Sequence, residues 1–310
     1  MAFTEAQNTA IVRTQLDEVF YQQFAQDTAL PQYAGADNSW IFQPINTTHA
    51  AYIGQVFKGV GLYSLTAETG AVAESTPRVT NTYTILVNDY TNSIALSKDL
   101  FDDNMHGVWA ESVRQMALMA RITMDTNAMG IFRGAFTTTL TPDGVSAINS
   151  AHPLIGGGTE SNLVTGPLSP STLNDAIVRM AQLKNQAGVV MGSNPDTLLV
   201  PPALWKKATE VTGSVLIADS ANNNVNVFMS PLGIRVFQSP YLGAAVSGGS
   251  DTAWFLLSRL HGVRRLIRQG LQTGLRSWEY SNDRTYLYQA NFRENYFVAD
   301  YVGLVGSTGL

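Results

Sequence analysis

The feature that most constrains the fold is an apolar stripe that continues without a break from about residue 98 to residue 132. Its side chains recur three, four or seven residues apart, which is the spacing of one face of an α-helix. They are Trp109, Val113, Met116, Ala117, Ala120, Met124 and Ile131. A helix of this length is roughly 40 Å long at 1.5 Å per residue. It therefore needs a sheet or another subunit along its length.

The segment before this helix, residues 50–97, is rich in Thr, Val, Tyr and Gly and predicts a β-hairpin. Its arms are residues 55–65 and 80–87, and its tip, residues 67–77, has almost no large apolar side chain. A hairpin with so little apolar surface does not bury itself in a monomer. We therefore expect it to pack on a neighbouring copy of the chain through its flanking strands. The expected contact residues are Val56, Phe57, Leu62, Tyr83, Ile85 and Leu86.

The remaining pattern predicts a mixed α+β chain without repeated βαβ units. An amphipathic helix spans residues 4–25, and a Gly- and Pro-rich loop over 141–170 ends in a helix cap at Ser169 or Ser171. A helix over 173–186, a short strand over 196–200 and a helix from Pro202 follow. Strands are then expected over residues 234–238, 253–257, 263–268, 275–280 and 285–297.

Composition limits the classes of function. Charged residues make up 14% of the chain, against roughly 25% in an ordinary soluble domain, which indicates that much of the surface rests against protein. The chain has no cysteine, so disulfides, thiolate nucleophiles and cysteine-ligated metals are excluded. No secretory signal and no apolar run of about 18 residues is present, so no membrane partner is expected.

The search for catalytic chemistry yields one weak candidate. Four histidines occur, none at the i, i+4 spacing of a helical metal site. His152, in the loop AHPLIGGG, would support a hydrolase only if a pocket gathered it with an acid and a nucleophile. The favoured interpretation is a turn histidine bonded to backbone. We therefore predict no catalytic residue, cofactor or metal.

Arginines cluster late in the chain, and the net charge of −5 argues against a dedicated nucleic-acid binder. The cluster consists of Arg259, Arg264, Arg265, Arg268, Arg276, Arg284 and Arg293. Two interpretations stay open for Arg264, Arg265 and Arg268. They face the interior of an assembly of such chains and meet nucleic-acid phosphates, or they pair with acids of a neighbouring subunit.

Two stretches resemble a known family: NSAHPLIGGGTESNLVTGPLSPSTLNDAIVRM and PDTLLVPPALWKKA, both within about residues 149–207. They are similar to the major capsid proteins of tailed bacteriophages, in particular the Mu-like major head subunit group, whose shared architecture is the Hong-Kong-97 shell fold. The order of predicted elements matches over nearly the whole chain.

The resemblance implies an N-terminal arm (1–49), an extended loop (50–97), a peripheral domain with a spine helix (98–167), an axial domain (168–271) and return strands of the peripheral domain (272–310). It implies a coat protein that assembles with itself, as hexamers and pentamers, into an icosahedral head around double-stranded DNA. Assembly would occur in the host cytoplasm, with scaffold, portal and decoration proteins as further partners. Only some 45 residues precede the extended loop, so either the scaffold is a separate protein or the chain is already in its mature form. Met1 at the start favours the expectation of a separate scaffold.

Two other classes remain as alternatives. An encapsulin-like nanocompartment would use the same fold to enclose an enzyme cargo, and a hydrolase would use the His152 loop. Some relatives also join a lysine of the extended loop covalently to an asparagine of a neighbour. Lys58 is the only lysine in residues 50–97, and a solvated surface lysine is its favoured interpretation.

Overall fold

The computed structural model describes residues 5–28, 41–58, 78–99, 106–155, 157–214, 233–276 and 285–310. Within these residues the α-helices are α1 (Glu5–Thr28), α2 (His106–Arg133), α3 (Pro170–Gln182) and α4 (Trp205–Gly213). The strands before α3 are β1 (Gln43–Asn46), β2 (Ala51–Lys58), β3 (Arg78–Leu86), β4 (Asn88–Ser97), β5 (His152–Pro153), β6 (Thr159–Glu160) and β7 (Leu163–Val164). The later strands are β8 (Pro195–Val200), β9 (Arg235–Gln238), β10 (Trp254–Ser258), β11 (Val263–Arg276), β12 (Thr285–Val298) and β13 (Leu304–Ser307).

The long helix predicted from the apolar stripe is confirmed as α2, which has 28 residues. Six of the seven stripe residues are buried, and Ala120 is half-buried. Toward its N-terminal end α2 packs against α1, whose Val12, Leu16 and Phe20 share one apolar cluster with Trp109 and Val113. The predicted arm helix therefore lies on its own chain.

A four-stranded sheet in the order β1-β11-β12-β4 lies beside α2. Burial alternates along β12 from Thr285 to Tyr296, which is the pattern of a sheet with one covered face. Two of the predicted elements differ here. Residues 263–276 form one strand where two were expected, and residues 88–97 pair with β12 instead of belonging to the hairpin.

A five-stranded sheet in the order β7-β13-β10-β8-β9 forms the centre of the second half of the chain. Along β10, Trp254 and Leu256 belong to the apolar cluster that includes α3 and α4, whereas Phe255 and Leu257 belong to the cluster that includes the C-terminal part of α2. Helices therefore cover both faces of this sheet. Its strand β13 comes from residues 304–307, which the predicted division had placed with the peripheral domain.

Of the two helix caps predicted, Ser169 and Ser171, the structure has Ser169. The hydroxyl of Ser169 accepts a hydrogen bond from the Thr172 backbone N–H, and the Thr172 hydroxyl accepts one from the Ser169 N–H. This reciprocal pair satisfies backbone donors that the first turn of a helix leaves open. With Pro170 as the first helical residue, it sets the point at which the long loop ends and α3 begins.

Candidate assembly surfaces

Strands β2 and β3 form a two-stranded antiparallel sheet, which corresponds to the base of the predicted hairpin. Directly opposed residues in such a pair point to the same side. The register therefore defines an inner and an outer face. The inner face consists of Tyr52, Gly54, Val56, Asn81, Tyr83 and Ile85, and the outer face of Ala51, Ile53, Gln55, Thr82, Thr84 and Leu86.

The inner face packs on the chain's own body. The rings of Tyr52 and Tyr83 lie 5.8 and 6.0 Å from the ring of Phe297 on β12. Gly54 lies directly beneath Tyr83, whose ring occupies the space that a Cβ would take. The side chain of Asn81 also donates a hydrogen bond of 2.9 Å to the carbonyl of Pro142. The base of the hairpin is thus held against the subunit by one face.

Within the described ranges of the chain, the outer face is not covered in this way. Ile53 and Leu86 are each 65% exposed, and the other four residues of this face carry no charge. Exposed large apolar side chains on a neutral strand surface are typical of a surface that another protein covers.

The predicted contact residues of the hairpin are divided by this register. Val56, Tyr83 and Ile85 lie on the inner face, and Leu86 lies on the outer face. The expectation that Tyr83 reaches a neighbour needs revision because its ring packs on Phe297 of the same chain. Leu62, the tip over 67–77 and the side chains of Phe57 and Lys58 lie outside the described part of the chain. The prediction missed Ile53, which the sequence places on the face opposite to that of its neighbours Tyr52 and Gly54.

Arg265 is held inside the subunit. Its Nε and Nη2 donate to Oε2 of Glu294 at 2.9 and 2.6 Å, and the Tyr296 hydroxyl donates to Oε1 of the same carboxylate at 3.0 Å. The two charged side chains are 11% and 2% exposed. Burial, and then the charge of Glu294, raises the pKa of Tyr296 well above its ordinary value. The prediction of a lumen-facing or intersubunit role needs revision for Arg265.

Arg264 and Arg268 are half-buried on the same strand. Arg264 stands opposite Phe297 in the register and so shares the sheet face that the hairpin covers. Burial and the neighbouring Tyr52 raise the pKa of Tyr83, and the positive charge of Arg264 acts in the opposite direction. Arg268 lies at an irregularity of the β11–β12 ladder. A role for Arg264 and Arg268 toward DNA or a neighbour stays a prediction.

Two further charged groups were not found from sequence. Arg121 and Asp125 form an ion pair of 3.3 Å on the buried side of α2, with side chains 1% exposed each. The sequence feature that could have indicated this pair is spacing. Arg121 lies four residues after Ala117 of the apolar stripe, and Asp125 lies four residues after Arg121. Near the start of β8 in the five-stranded sheet, Asp196 accepts hydrogen bonds from Arg235 at 2.7 Å and from Arg259 at 2.9 Å.

His152 lies in a closed cluster of side chains. It is fully buried, its Nδ1 is 2.7 Å from Oδ2 of Asp143, and its Nε2 is 3.1 Å from Oδ1 of Asn162. Its ring stacks on that of Tyr301 at 4.2 Å. The prediction of a backbone-bonded histidine is wrong in its partners, which are side chains. Since both ring nitrogens are engaged by Asp143 and Asn162, the cluster does not match the arrangement of a base that activates a nucleophile.

The described helices include none that is long and apolar enough to cross a membrane. Over the same described ranges, no three His, Cys, Asp or Glu side chains gather as a metal site would require.

Comparison with solved structures shows the fold. A capsid structure of the cyanophage P-SCSP1u matches with a TM-score of 0.56 at 11% identity, over 89% of this chain and 88% of that chain. The capsid of an empty GTA particle matches with a TM-score of 0.53 at 14% identity, over 90% and 89%. A virus-like particle from Pyrococcus furiosus matches with a TM-score of 0.52 at 8% identity, over 95% and 98%. The predicted α+β capsid fold is confirmed.

No curated protein matches the sequence. A family model described as phage capsid protein, however, matches residues 80–306, which is well over half of the chain. The match includes α2, the four-stranded sheet except β1, and the five-stranded sheet up to the third residue of β13. Assignment to the Mu-like group within such proteins stays a prediction. The chain belongs to the phage capsid protein family.

Proposed function

We propose that this chain is the major capsid protein of a tailed bacteriophage, a structural protein that assembles with copies of itself into the icosahedral head around double-stranded DNA. The observation that carries the proposal is the family match over residues 80–306. Hexamers and pentamers are the expected building units. Assembly is expected in the host cytoplasm, and the assembled protein is expected in the virion. Scaffold, portal and decoration proteins are further expected partners.

The outer face of the β2–β3 hairpin is the proposed contact with the neighbouring subunit. Full burial of an Ile or Leu side chain contributes about 1.5–3 kcal/mol, and Ile53 and Leu86 are both exposed in the single chain. In a closed symmetric assembly the same contact recurs at every equivalent interface. Each subunit then contributes two small apolar contacts, and the total stabilisation of the shell grows with the number of equivalent interfaces.

The proposed contact with DNA involves Arg264 and Arg268 and leaves out Arg265, which Glu294 engages. Phosphate contacts are independent of sequence and depend on the number of charges neutralised. Replacing Arg264 and Arg268 by glutamine should leave empty shells intact and reduce the packaged DNA, measured as the ratio of absorbance at 260 nm to protein mass. Loss of assembly in this variant would instead assign the two arginines to subunit contacts.

Expression of the chain and electron microscopy of the purified product test the assembly proposal. We expect closed particles of uniform diameter. Purified protein that stays monomeric by analytical ultracentrifugation, also with added scaffold from the same genome, would contradict it.

The second candidate is an encapsulin-like shell. The observation that favours it is the fold likeness to the Pyrococcus furiosus virus-like particle, which covers nearly all of both chains. Particles that carry a defined protein cargo and no DNA would support this candidate, and DNA-filled particles from infected cells would exclude it.

A further inference from the structure

The His152 cluster joins the loop that follows α2 to a segment about 150 residues further along the chain. Asp143 lies in the loop after α2, His152 lies in β5, and Tyr301 lies in the turn before β13. The ring of His152 is sandwiched among these parts, fully removed from solvent. Its protonation state therefore follows from what each ring nitrogen faces.

Nε2 faces an oxygen that only accepts hydrogen bonds. The Nδ2 group of Asn162 donates to the carbonyls of Ala147 at 2.8 Å and Leu304 at 3.1 Å. Its Oδ1 accepts the backbone N–H of Asn149 at 2.8 Å. Exchanging the oxygen and nitrogen of this amide would break all three bonds, so its orientation is determined. Nε2 of His152 must therefore carry a proton.

Nδ1 faces a carboxylate oxygen. Oδ1 of Asp143 accepts hydrogen bonds from the Thr141 hydroxyl and from the Val145 N–H, the latter at 3.3 Å. These two donors, which do not involve His152, stabilise the ionised carboxylate. The 2.7 Å contact between Oδ2 of this carboxylate and Nδ1 then needs a proton on Nδ1 as well.

We infer that His152 is a buried imidazolium cation, ion-paired with Asp143, and that this pair is a proton-dependent clamp between the 141–164 loop and the C-terminal segment. The stacked ring of Tyr301 suits the role because the face of an aromatic ring attracts a cation. If either ring proton is lost, a nitrogen lone pair faces an acceptor oxygen in a dry site. The junction then loses the ion pair and keeps the hydrogen bond from Asn162 to Leu304, the β7–β13 pairing and its apolar packing.

Three other charged groups lie around the clamp. Asp300 precedes Tyr301, and its charge interacts with those of Asp143 and His152. Glu160 stands opposite His152 in the β5–β6 register and pairs with Lys184 at 3.9 Å. The Tyr301 hydroxyl donates to the Lys184 carbonyl at 2.7 Å, which fixes the stacking ring. Lys184 thus engages Glu160, and Asp143 is the acid in direct contact with the ring.

Nitrogen-15 NMR of histidine-labelled protein tests the inference, with His152→Gln used for assignment. We expect both ring nitrogens of His152 to show protonated shifts at neutral pH. His261 is the internal control: it is also buried, but its Nδ1 accepts the Val263 N–H at 3.2 Å and must lack a proton. An unprotonated nitrogen on His152 in the wild-type protein would overturn the inference.

Asp143→Asn sharpens the test. An asparagine at this position can donate an N–H to Nδ1, so the ring should lose the Nδ1 proton and keep the Nε2 proton that faces Asn162. The His261 signals should not change. Two protonated nitrogens in this variant would mean that Asp143 does not determine the charge. The wild-type spectrum decides the inference even if the variant fails to fold, and it does so whether or not the protein assembles.

Discussion

The five-stranded sheet and the β2–β3 hairpin differ in how many of their faces are buried within the chain. Every residue of β10 and of β13 is buried within the chain, because helices cover both faces of that sheet. The hairpin buries only its inner face, through Tyr52 and Tyr83 on Phe297. The difference indicates that the sheet is stabilised by the subunit itself, whereas the outer face of the hairpin is left uncovered by the described residues and is the face that we propose a second molecule covers.

The residues along the strands explain the contrast. The sequence of β10, WFLLS, is almost continuously apolar, as expected for a strand covered on both sides. In β2 the apolar Ile53 alternates with Tyr52 and Gly54, so a single large apolar side chain is directed away from the body.

The largest effect on subunit stability is expected from the sheet. Leu256→Ala removes a fully buried side chain and should lower the free energy of unfolding by about 2–5 kcal/mol. Leu86→Ala is the matched control, because the same change at a side chain 65% exposed should cost less than about 0.5 kcal/mol. Denaturant unfolding of unassembled subunits measures both. Equal losses of unfolding free energy in the two variants would show that the sheet and the outer face of the hairpin do not differ in burial.

A smaller effect is expected at the base of the hairpin. Gly54→Ala places a Cβ where the Tyr83 ring lies, so the ring must leave Phe297. Such overpacking costs about 1–3 kcal/mol. Gln55→Ala, at the neighbouring position on the outer face, serves as control. Reduced hydrogen-exchange protection confined to β2 and β3 is the expected signature, and global destabilisation would show that the hairpin belongs to the subunit core.

Sequence patterns predicted the elements better than the contacts between them. The stripe of α2, the cap at Ser169 and the strand over 196–200 were found because each depends on local spacing or chemistry. The faces of the hairpin, the Arg265–Glu294 pair and the partners of His152 were missed because they depend on register. Asn162 and Tyr301, for example, lie 10 and 149 residues beyond His152, and no local pattern connects them.

Acid should affect the sheet more than the hairpin. Burial alone would raise the pKa of Asp196, but hydrogen bonds from Arg259 and Thr197 and the charge of Arg235 hold it below its ordinary value. A lowered pKa contributes stability that is present above the unfolded value of about 3.9 and is lost as pH falls through the folded value. The described outer and inner hairpin faces carry no titrating carboxylate.

Asp196→Asn should therefore lower the free energy of unfolding at pH 7 by roughly 0.2–1 kcal/mol. The effect is small because Arg235 and Arg259, which both pair with Asp196, are exposed. The difference from the wild-type protein should shrink below about pH 4. Urea unfolding at pH 7 and pH 3 measures it. A difference that stays constant with pH would mean that the carboxylate charge is not what Asn removes.

The smallest effect on the subunit, and the largest on the shell, is expected from the outer face of the hairpin. Replacing Ile53 and Leu86 together by serine changes two exposed side chains and should alter the free energy of unfolding by less than about 0.5 kcal/mol each. It also removes most of the apolar area that this face offers to a neighbour, a loss repeated at each interface of a closed assembly. Thr82→Ser with Thr84→Ser, on the same face, is the control that keeps the apolar residues.

For the Ile53 and Leu86 variant we expect folded subunits with unchanged circular dichroism and no regular particles by electron microscopy. The control should give normal particles. Normal shells from the Ile53 and Leu86 variant would show that the neighbour contacts another surface, and an unfolded subunit would show that this face is already buried within the chain.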